Sequence, residues 1–362
     1  MKFFEIKLSP TGRCRTYLLE KQIFSCNKKY STRATSKLIA ANKGNAFVED
    51  LLEKRNESNE RAIAALLFCY QKNLSVIDSL LYAKLPEQER DVFIRFVLRR
   101  FARIDTVTAE EAMEIEALFQ KAIALYQQRE TVDTPITFDF LGTQVRFITD
   151  TPLNPDFSSA KNVLLYTYEV VHAFFMNEYS QPGFLPVREN ATIILDCGAL
   201  HGDTAIAFAI QYPHAQIYSF ECEQRAFGLL QKNISLNHLC NIHPVQTFLH
   251  SETGSITVEG KPVSAMALDD YVEQQHLDNV SVIKLDVEGA EISVLRGAIK
   301  TIHRFQPLLY IPIYHLQSDL FTIPQFIESL GYKTSFSFKW TEKRVWGMDA
   351  VLFVRLEGMR SS

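Results

Sequence analysis

The sequence lacks three features that would set it apart from ordinary globular proteins. Its six cysteines contain no C-x-x-C pair and no metal-ligand spacing, which predicts free thiols in a reducing compartment. No apolar run approaches the roughly 20 residues of a membrane span, and the N-terminus lacks the apolar stretch of a signal peptide. The formal net charge of -4 gives no overall reason to expect a nucleic-acid partner. We therefore expect a cytoplasmic protein without a membrane span.

The length and composition predict two domains. The chain has 362 residues, of which 47% are hydrophobic and 22% charged, as in typical globular proteins. The expected division is a basic segment over 1–44, a helical domain over 45–132 and a larger domain over 133–362, the last subdivided into 133–190 and 191–356.

The first 44 residues carry ten Lys or Arg against two Glu, a net of +8. One interpretation is a patch for a polyanionic partner or an anionic membrane surface. The other is a solvated arm or edge packed on the next domain. The aromatic residues Phe3, Phe4, Tyr17 and Phe24 favour packing.

Residues 45–130 show helical periodicity, as in the run Val92, Phe93, Phe96 and Val97. The pattern predicts four or five helices. A scaffold or a surface for homo-oligomer formation is the expected role, with no chemistry assigned.

A small flanking region is predicted between the helices and the larger domain. Residues 136–148 alternate around Leu141-Gly142-Thr143, which indicates a β-hairpin. Residues 162–179 follow as an amphipathic helix. We expect this hairpin and helix to cover a ligand cleft.

Strands and helices alternate in the second half, which predicts a doubly wound parallel sheet of seven strands with a Rossmann-like α/β fold. The expected strands are 191–196, 216–221, 242–248, 281–286, 308–314, 333–339 and 349–356. The expected helices are 203–211, 224–236, 289–304 and 322–330, and 255–265 is expected to be an inserted hairpin or edge.

The run ATIILDCGALHGDT, residues 191–204, predicts a buried strand, a glycine-containing turn and a helix N-terminus. Such a turn lets the backbone approach a ligand closely, because glycine tolerates positive φ. Dinucleotides and S-adenosylmethionine (SAM) both use this geometry. The acid at the strand end, Asp196, would repel a diphosphate and suits the ammonium group of a methionine moiety, which favours SAM.

Three later motifs complete the pattern. FECE (Phe220 to Glu223) ends a second strand on an acid, ALDDY follows at 267–271, and IKLDVEGAEISVLRGA occupies 283–298. Together with DCGALHGDT they resemble the FkbM family of SAM-dependent methyltransferases over roughly residues 160–356. The helical leader is not part of the family pattern.

The resemblance implies a class I methyltransferase fold with SAM as cofactor. Glu221 occupies the position of the acid that bonds the ribose hydroxyls. The residues expected to contact the cofactor are Asp196, Gly198, Ala199, Gly202, Asp203, Thr204, Glu221, Cys222, Gln246 and Asp286.

Two acids, Asp286 and Glu288, follow a buried strand where ligands bind in open α/β folds. They could orient an acceptor hydroxyl or take up its proton. Glu291 is expected to act as a cap or an ion-pair partner. Lys284, two residues before Asp286, is expected either to pair with that carboxylate or to contact substrate.

His315 follows the fifth strand of the predicted sheet in the pattern IYHLQSDLFTIP, which is similar to one branch of the FkbM family. Since histidine accepts protons near neutral pH, we expect it to be the general base, with His201 as a weaker rival. No divalent metal is required by these residues, although Asp269, Asp270 and Asp286 could form an oxygen-ligand set.

The expected activity is O-methylation of a hydroxyl on a sugar, a glycan precursor or a secondary metabolite. Two alternatives stay open at this point. One is a non-catalytic nucleotide-binding scaffold whose helical leader binds a partner, and the other is methylation of nitrogen.

Overall fold

The computed structural model describes residues 6–8, 14–16, 32–186, 192–258, 260–343 and 349–359. Most of the basic stretch expected to pack or to bind polyanions over 1–44, including its four aromatic residues, lies outside the described residues. In the described part of the chain, no helix has the length and apolar character needed to cross a membrane.

The α-helices are α1 Thr32–Ala41, α2 Ala46–Glu53, α3 Glu60–Tyr70, α4 Leu74–Val76, α5 Glu87–Ala102, α6 Ala109–Gln127, α7 Ala160–Glu169, α8 Asp203–Gln211, α9 Gln224–Leu236, α10 Leu268–Gln274, α11 Glu291–Arg296, α12 Ile299–Phe305 and α13 Asp319–Ser329. A π-helix, Ile77–Leu81, and a 3-10 helix, Tyr82–Lys84, follow α4, and a second π-helix, Val170–Phe175, continues α7.

The strands are β1 Ile6–Leu8, β2 Cys14–Thr16, β3 Ile136–Phe140, β4 Thr143–Phe147, β5 Ile193–Cys197, β6 Gln216–Glu221, β7 Ile242–Gln246, β8 Phe248–Leu249, β9 Gly254–Val258, β10 Lys261–Met266, β11 Val280–Leu285, β12 Leu308–Pro312, β13 Tyr332–Trp340 and β14 Ala350–Met359.

The chain forms two compact units. The first contains Met1–Thr108, Ile313–Leu352 and Leu356–Ser362, and the second contains Ala109–Pro312 and Phe353–Arg355. The domains expected from the sequence, 45–132 and 133–362, have other boundaries and stay a prediction.

Aromatic packing organises the first unit. Phe93 of α5 is fully buried and lies with its ring centroid 6.1 Å from Phe47 of α2, 5.8 Å from Tyr82 and 5.2 Å from Phe338 of β13. Burial of such side chains contributes about 1.5–3 kcal/mol each. The helical periodicity of the leader therefore reflects an apolar core.

A seven-stranded sheet has the order β13-β14-β12-β11-β5-β6-β7, which agrees with the seven strands expected. Within the second unit, β12, β11, β5, β6 and β7 pair in parallel. The register places Asp196 beside Ser219 on one side and Lys284 on the other. The strand ends that carry the predicted site residues consequently lie at one edge of the sheet.

The expected hairpin at 136–148 is confirmed. Strands β3 and β4 pair antiparallel across Leu141 and Gly142, whose φ angles of 53° and 79° suit a two-residue turn. The predicted insert at 255–265 is also a hairpin, since β9 and β10 pair antiparallel in a separate sheet with β8.

Two predicted helices were wrong in detail. The expected helix 289–304 is divided into α11 and α12 at Gly297, where an added Cβ would lie 2.3 Å from the His250 carbonyl oxygen. The helix is thus interrupted where the backbone at His250 lies close to Gly297. The expected helix 162–179 is α-helical only to Glu169 and continues as a π-helix.

Candidate functional site

The first turn of the parallel sheet requires glycine at position 198. Gly198 has φ +85°, and a Cβ added there would lie 1.9 Å from the carbonyl oxygen of Asp286. The Asp286 amide in turn donates to the Cys197 carbonyl at 2.8 Å. The turn after β5 and the turn after β11 are thereby packed backbone against backbone.

The loop between β5 and α8 is bonded to the end of β6. The amides of Gly198 and Ala199 both donate to the Phe220 carbonyl at 2.9 Å, and the Leu200 amide donates to Glu221 Oε2 at 2.9 Å. Leu200 itself has a positive φ of 45°. The loop conformation is therefore fixed by its neighbours.

Asp196 is fully buried at the end of β5 and forms an ion pair with Lys284. Lys284 Nζ lies 3.0 Å from Asp196 Oδ1 and donates to the Gly198 carbonyl at 2.9 Å. The sequence suggested Asp286 as the partner of Lys284; the parallel register places Asp196 directly beside Lys284, and the negative charge of Asp286 also acts on Lys284. Lys284 therefore links the carboxylate of Asp196 to the backbone of the glycine turn.

Glu221 ends β6 and is 9% exposed. Its Oε2 accepts from the Leu200 amide, and its Oε1 accepts from the Glu223 amide at 2.7 Å. Burial raises the pKa of this carboxyl, while the backbone hydrogen bonds oppose the shift. Since each carboxylate oxygen has two lone pairs, the side chain retains acceptor capacity for a ligand hydroxyl.

Helix α8 begins at Asp203, directly after Gly202, whose φ is +86°. The side chains of Asp203 and Thr204 are 8% and 6% exposed. Burial, followed by the charge of Glu169, raises the pKa of Asp203 to about 7. This first turn is thus acidic in character and shielded from water.

Asp286 and Glu288 follow β11. Asp286 is half-buried, and Tyr179 Oη lies 3.4 Å from its Oδ2. Glu288 is exposed and has a positive φ of 54°. Glu291 is buried, and its Oε1 accepts from the amides of Val287 and Gly289 at 3.3 Å, so it holds the loop that precedes α11. Its expected role as a cap or ion-pair partner stays a prediction.

Among the described residues, Asp269, Asp270 and Asp286 do not come together as a set of oxygen ligands for a metal ion. Asp269 accepts from the amides of Lys300 and Thr301 and so caps α12. Asp270 accepts from the hydroxyl of Thr253 at 2.5 Å. Both carboxylates have structural roles.

Cys222 and Gln246 are exposed and follow or end their strands, β6 and β7. Gln246 lies beside Glu221 in the parallel register. The sheet therefore brings these two positions to the same edge as Asp196 and Asp286.

His315 belongs to the first unit, three residues after the end of β12. Its side chain is 3% exposed, and its ring centroid lies 4.2 Å from that of Tyr314. Arg100 donates to the Tyr314 carbonyl at 2.8 Å. The role of His315 as general base stays a prediction.

Sequence reasoning missed two residues. Tyr179 lies between Asp286 and Lys284, whose Nζ is 5.1 Å from the Tyr179 ring centroid. Asn233 of α9 is fully buried, exchanges two hydrogen bonds of 2.8 Å with the Ile148 backbone and donates to the His201 carbonyl at 2.9 Å. An asparagine on the inner face of a helix was the only signal.

An open parallel sheet with a glycine turn after one strand and acids after its neighbours is the class of domain that binds nucleotide-like ligands at its carboxyl edge. Residues 196–334 match the family model described as Methyltransferase FkbM domain. This match confirms the resemblance to the FkbM family that was found in the sequence.

Individual relatives are distant. Methyltransferase 1 of Beauveria bassiana (strain ARSEF 2860) is 22% identical over 39% of this chain and 72% of its own. The crystal structure of Methyltransferase FkbM from Methylobacillus flagellatus KT has 17% identity and a TM-score of 0.49, covering 82% of this chain and 66% of that one. Aeropyrum pernix fibrillarin, solved with natively bound S-adenosyl-L-methionine, has 15% identity and a TM-score of 0.35, covering 64% and 86%. This chain thus spans slightly less than two thirds of the Methylobacillus protein.

Proposed function

We propose that this protein transfers a methyl group from SAM to a hydroxyl of a sugar, a glycan precursor or a secondary metabolite. The observation that carries the proposal is the buried carboxylate of Glu221, fixed by backbone amides beside a glycine turn. Such an acid binds ribose hydroxyls in nucleotide-binding α/β folds. The family match adds the reaction type.

The charges of the site fit SAM better than a dinucleotide. Asp203, Glu221 and Asp286 present carboxyl groups around the turn, whereas the nearby cation, Lys284, is already neutralised by Asp196. A diphosphate would be repelled by these acids. A cofactor with an ammonium group and a sulfonium would be attracted.

The residues proposed to hold SAM are those of the turn and of the neighbouring strand ends: Asp196, Gly198, Ala199, Gly202, Asp203, Thr204, Glu221, Cys222, Gln246 and Asp286. Asp196 is held by Lys284, so its direct contact with the cofactor stays a prediction. Asp203 and Asp286 are further carboxyl groups for the ammonium end.

SAM supplies an activated methyl group when it is bound. The protein then has to orient the acceptor, exclude water and accept a proton. We propose that Asp286 and Glu288 orient the acceptor hydroxyl, because they follow β11 at the same edge as the turn. An alcohol is a very weak acid and needs a base to accept its proton in the transition state, and the assignment of His315 to that step rests on the sequence pattern.

Calorimetry on the full chain with SAM, S-adenosylhomocysteine and NAD tests the cofactor. We expect SAM and S-adenosylhomocysteine to bind and NAD not to bind. Glu221→Gln should weaken SAM binding about 10- to 100-fold, since a hydrogen bond to a charged group contributes about 1.5–3 kcal/mol. Glu252→Gln, at an exposed position, is the matched control.

Transfer of a labelled methyl group tests the acceptor class. Nucleotide sugars, hydroxylated secondary metabolites and amines are offered in parallel, and labelled product should form with hydroxyl acceptors. Binding of NAD in the absence of SAM binding would overturn the cofactor assignment. Labelling of amines alone would retain the cofactor and replace oxygen by nitrogen as the acceptor.

A further inference from the structure

A group of side chains with metal-ligand donor atoms includes His201 of the glycine loop, and the proposed methyl transfer does not use this group. Asp150, Glu169 and His201 each present one donor atom, and the three atoms lie within 4.8 Å of one another. Glu169 is fully buried, His201 is 3% exposed and Asp150 is half-buried. All three belong to the second unit.

The distance between two of these donors suits a shared ion. His201 Nδ1 lies 3.5 Å from Glu169 Oε1, which is longer than the 2.7–3.2 Å of a normal hydrogen bond. Two donors at about 2.1 Å from one ion are about 3.0–4.2 Å apart. The donor oxygen of Asp150 comes within this range if the three side chains move roughly half an ångström closer together.

The charge of the cluster points the same way. The carboxyl groups of Asp150 and Glu169 have donor atoms within 4.8 Å of the imidazole of His201, and the buried carboxyl group of Asp203 follows two residues later. Burying several carboxylates is costly unless a cation compensates them. A divalent cation would supply the missing positive charge.

Hydrogen bonds of one buried side chain hold two of the three ligand segments together. Asn233 binds both backbone groups of Ile148, two residues before Asp150, and also the carbonyl of His201. Glu169 is the last residue of α7. The segments that carry Asp150 and His201 are thus joined through the buried amide of Asn233.

We propose that Asp150, Glu169 and His201 form a binding site for one divalent cation of the first transition series, such as Mn²⁺ or Zn²⁺. A nitrogen donor and only three protein ligands favour these ions over Ca²⁺, which takes six to eight oxygens. The site would tie the segment that follows β4 and helix α7 to the glycine loop. It is independent of the identity of the methyl acceptor.

The experiment uses the full chain after treatment with chelator and gel filtration. Thermal unfolding is measured with added MnCl₂, ZnCl₂, MgCl₂ or CaCl₂, and bound metal is counted by mass spectrometry. We expect one Mn²⁺ or Zn²⁺ per chain and a rise in Tm of about 5 °C at a hundredfold excess over Kd. Ca²⁺ should give no comparable rise.

The variants Glu169→Gln and His201→Gln should abolish the rise in Tm, whereas His214→Gln, at an exposed position, should keep it. If the two buried variants fail to fold, two other measurements test the site. One is the change in Tm with added metal in Asp150→Asn, which alters the half-buried ligand, and the other is the visible absorption of Co²⁺ bound to the unaltered protein. A wild-type protein that retains no ion and shows no Co²⁺ band would overturn the proposal. An equal rise in Asp150→Asn or in the buried variants would overturn it too.

Discussion

The ammonium group of Lys284 lies 3.0 Å from the carboxylate of Asp196, and neither side chain is more than 1% exposed. Lys284→Met would leave a buried carboxylate without its cation. We expect it to lower the free energy of unfolding by about 3–5 kcal/mol, measured by urea denaturation. Lys300→Met, an exposed site, should change it by less than about 0.5 kcal/mol.

The double variant Asp196→Asn/Lys284→Met separates the charge from the packing. It should recover part of the stability lost in Lys284→Met, because the uncompensated charge is gone. A single variant as stable as the unaltered protein would show that the ion pair is not needed.

Gly198→Ala should damage the turn. A Cβ at this position meets the Asp286 carbonyl oxygen at 1.9 Å, and the positive φ adds a cost of about 1–2 kcal/mol for an L-residue. We expect a loss of at least about 2 kcal/mol in stability and weaker SAM binding by calorimetry. Gly228→Ala is the control, since no atom lies within 4 Å of a Cβ there and alanine favours its helix.

Asn233 and Asn237 allow a matched comparison of a buried and a less buried amide. Asn233 lies on α9 and Asn237 directly follows its last residue. Each exchanges two hydrogen bonds with the backbone of one residue of β4 or just after it, Ile148 for Asn233 and Arg146 for Asn237. Asn233→Ala should cost about 3 kcal/mol, because buried backbone groups lose their partners. Asn237→Ala should cost less than about 1 kcal/mol, since water replaces the amide. Equal losses in denaturation would contradict this.

His172 predicts a pH dependence of stability. Burial lowers its pKa to about 3, although the charge of Glu169 acts in the opposite direction. In the unfolded chain the pKa is about 6.5, so the unfolded state takes up the proton first as the pH falls. The free energy of unfolding should therefore decrease below pH 6.5, by up to about 1.4 kcal/mol per pH unit from this residue.

His172→Phe should remove about one proton from the difference in protons bound by the unfolded and folded states between pH 6 and pH 4.5. The dependence of the free energy of unfolding on pH should become correspondingly shallower, measured by urea denaturation at several pH values. His214→Phe changes an exposed histidine and should leave the slope unaltered. An unchanged slope in His172→Phe would show that this imidazole titrates alike in both states.

His315→Gln tests the general base. If His315 accepts the acceptor proton, kcat should fall about 10²- to 10⁴-fold while the KM for SAM stays constant. His214→Gln is again the control. A change confined to KM would assign His315 to binding and leave the base to be found elsewhere.

Local signals in the sequence were sufficient for several elements. Strand β6 and helices α8 and α9 have the predicted bounds, because the apolar run ends on an acid and each helix has a defined start. Glu223, for example, caps α9 by accepting from the Ala226 amide at 2.7 Å. Such caps act within a few residues and can be read directly from a sequence.

Contacts across strands could not be predicted in this way. The spacing along β11 suggested Asp286 as the partner of Lys284, whereas the ion pair of Lys284 with Asp196 follows from the register with β5. The break at Gly297 depends on a carbonyl 47 positions earlier in the chain. The cluster of Asp150, Glu169 and His201 likewise combines three segments whose proximity follows only from the fold.

The backbone contact between Gly198 and Asp286 limits how far the turns after β5 and β11 can move apart. With a carbonyl filling the space of the missing Cβ and an amide bonded to Cys197, the two turns cannot separate without breaking the sheet edge. If SAM binds as proposed, we expect its rate of release to respond more to substitution of Tyr179, whose hydroxyl lies 3.4 Å from Asp286 Oδ2, than to changes in the strands.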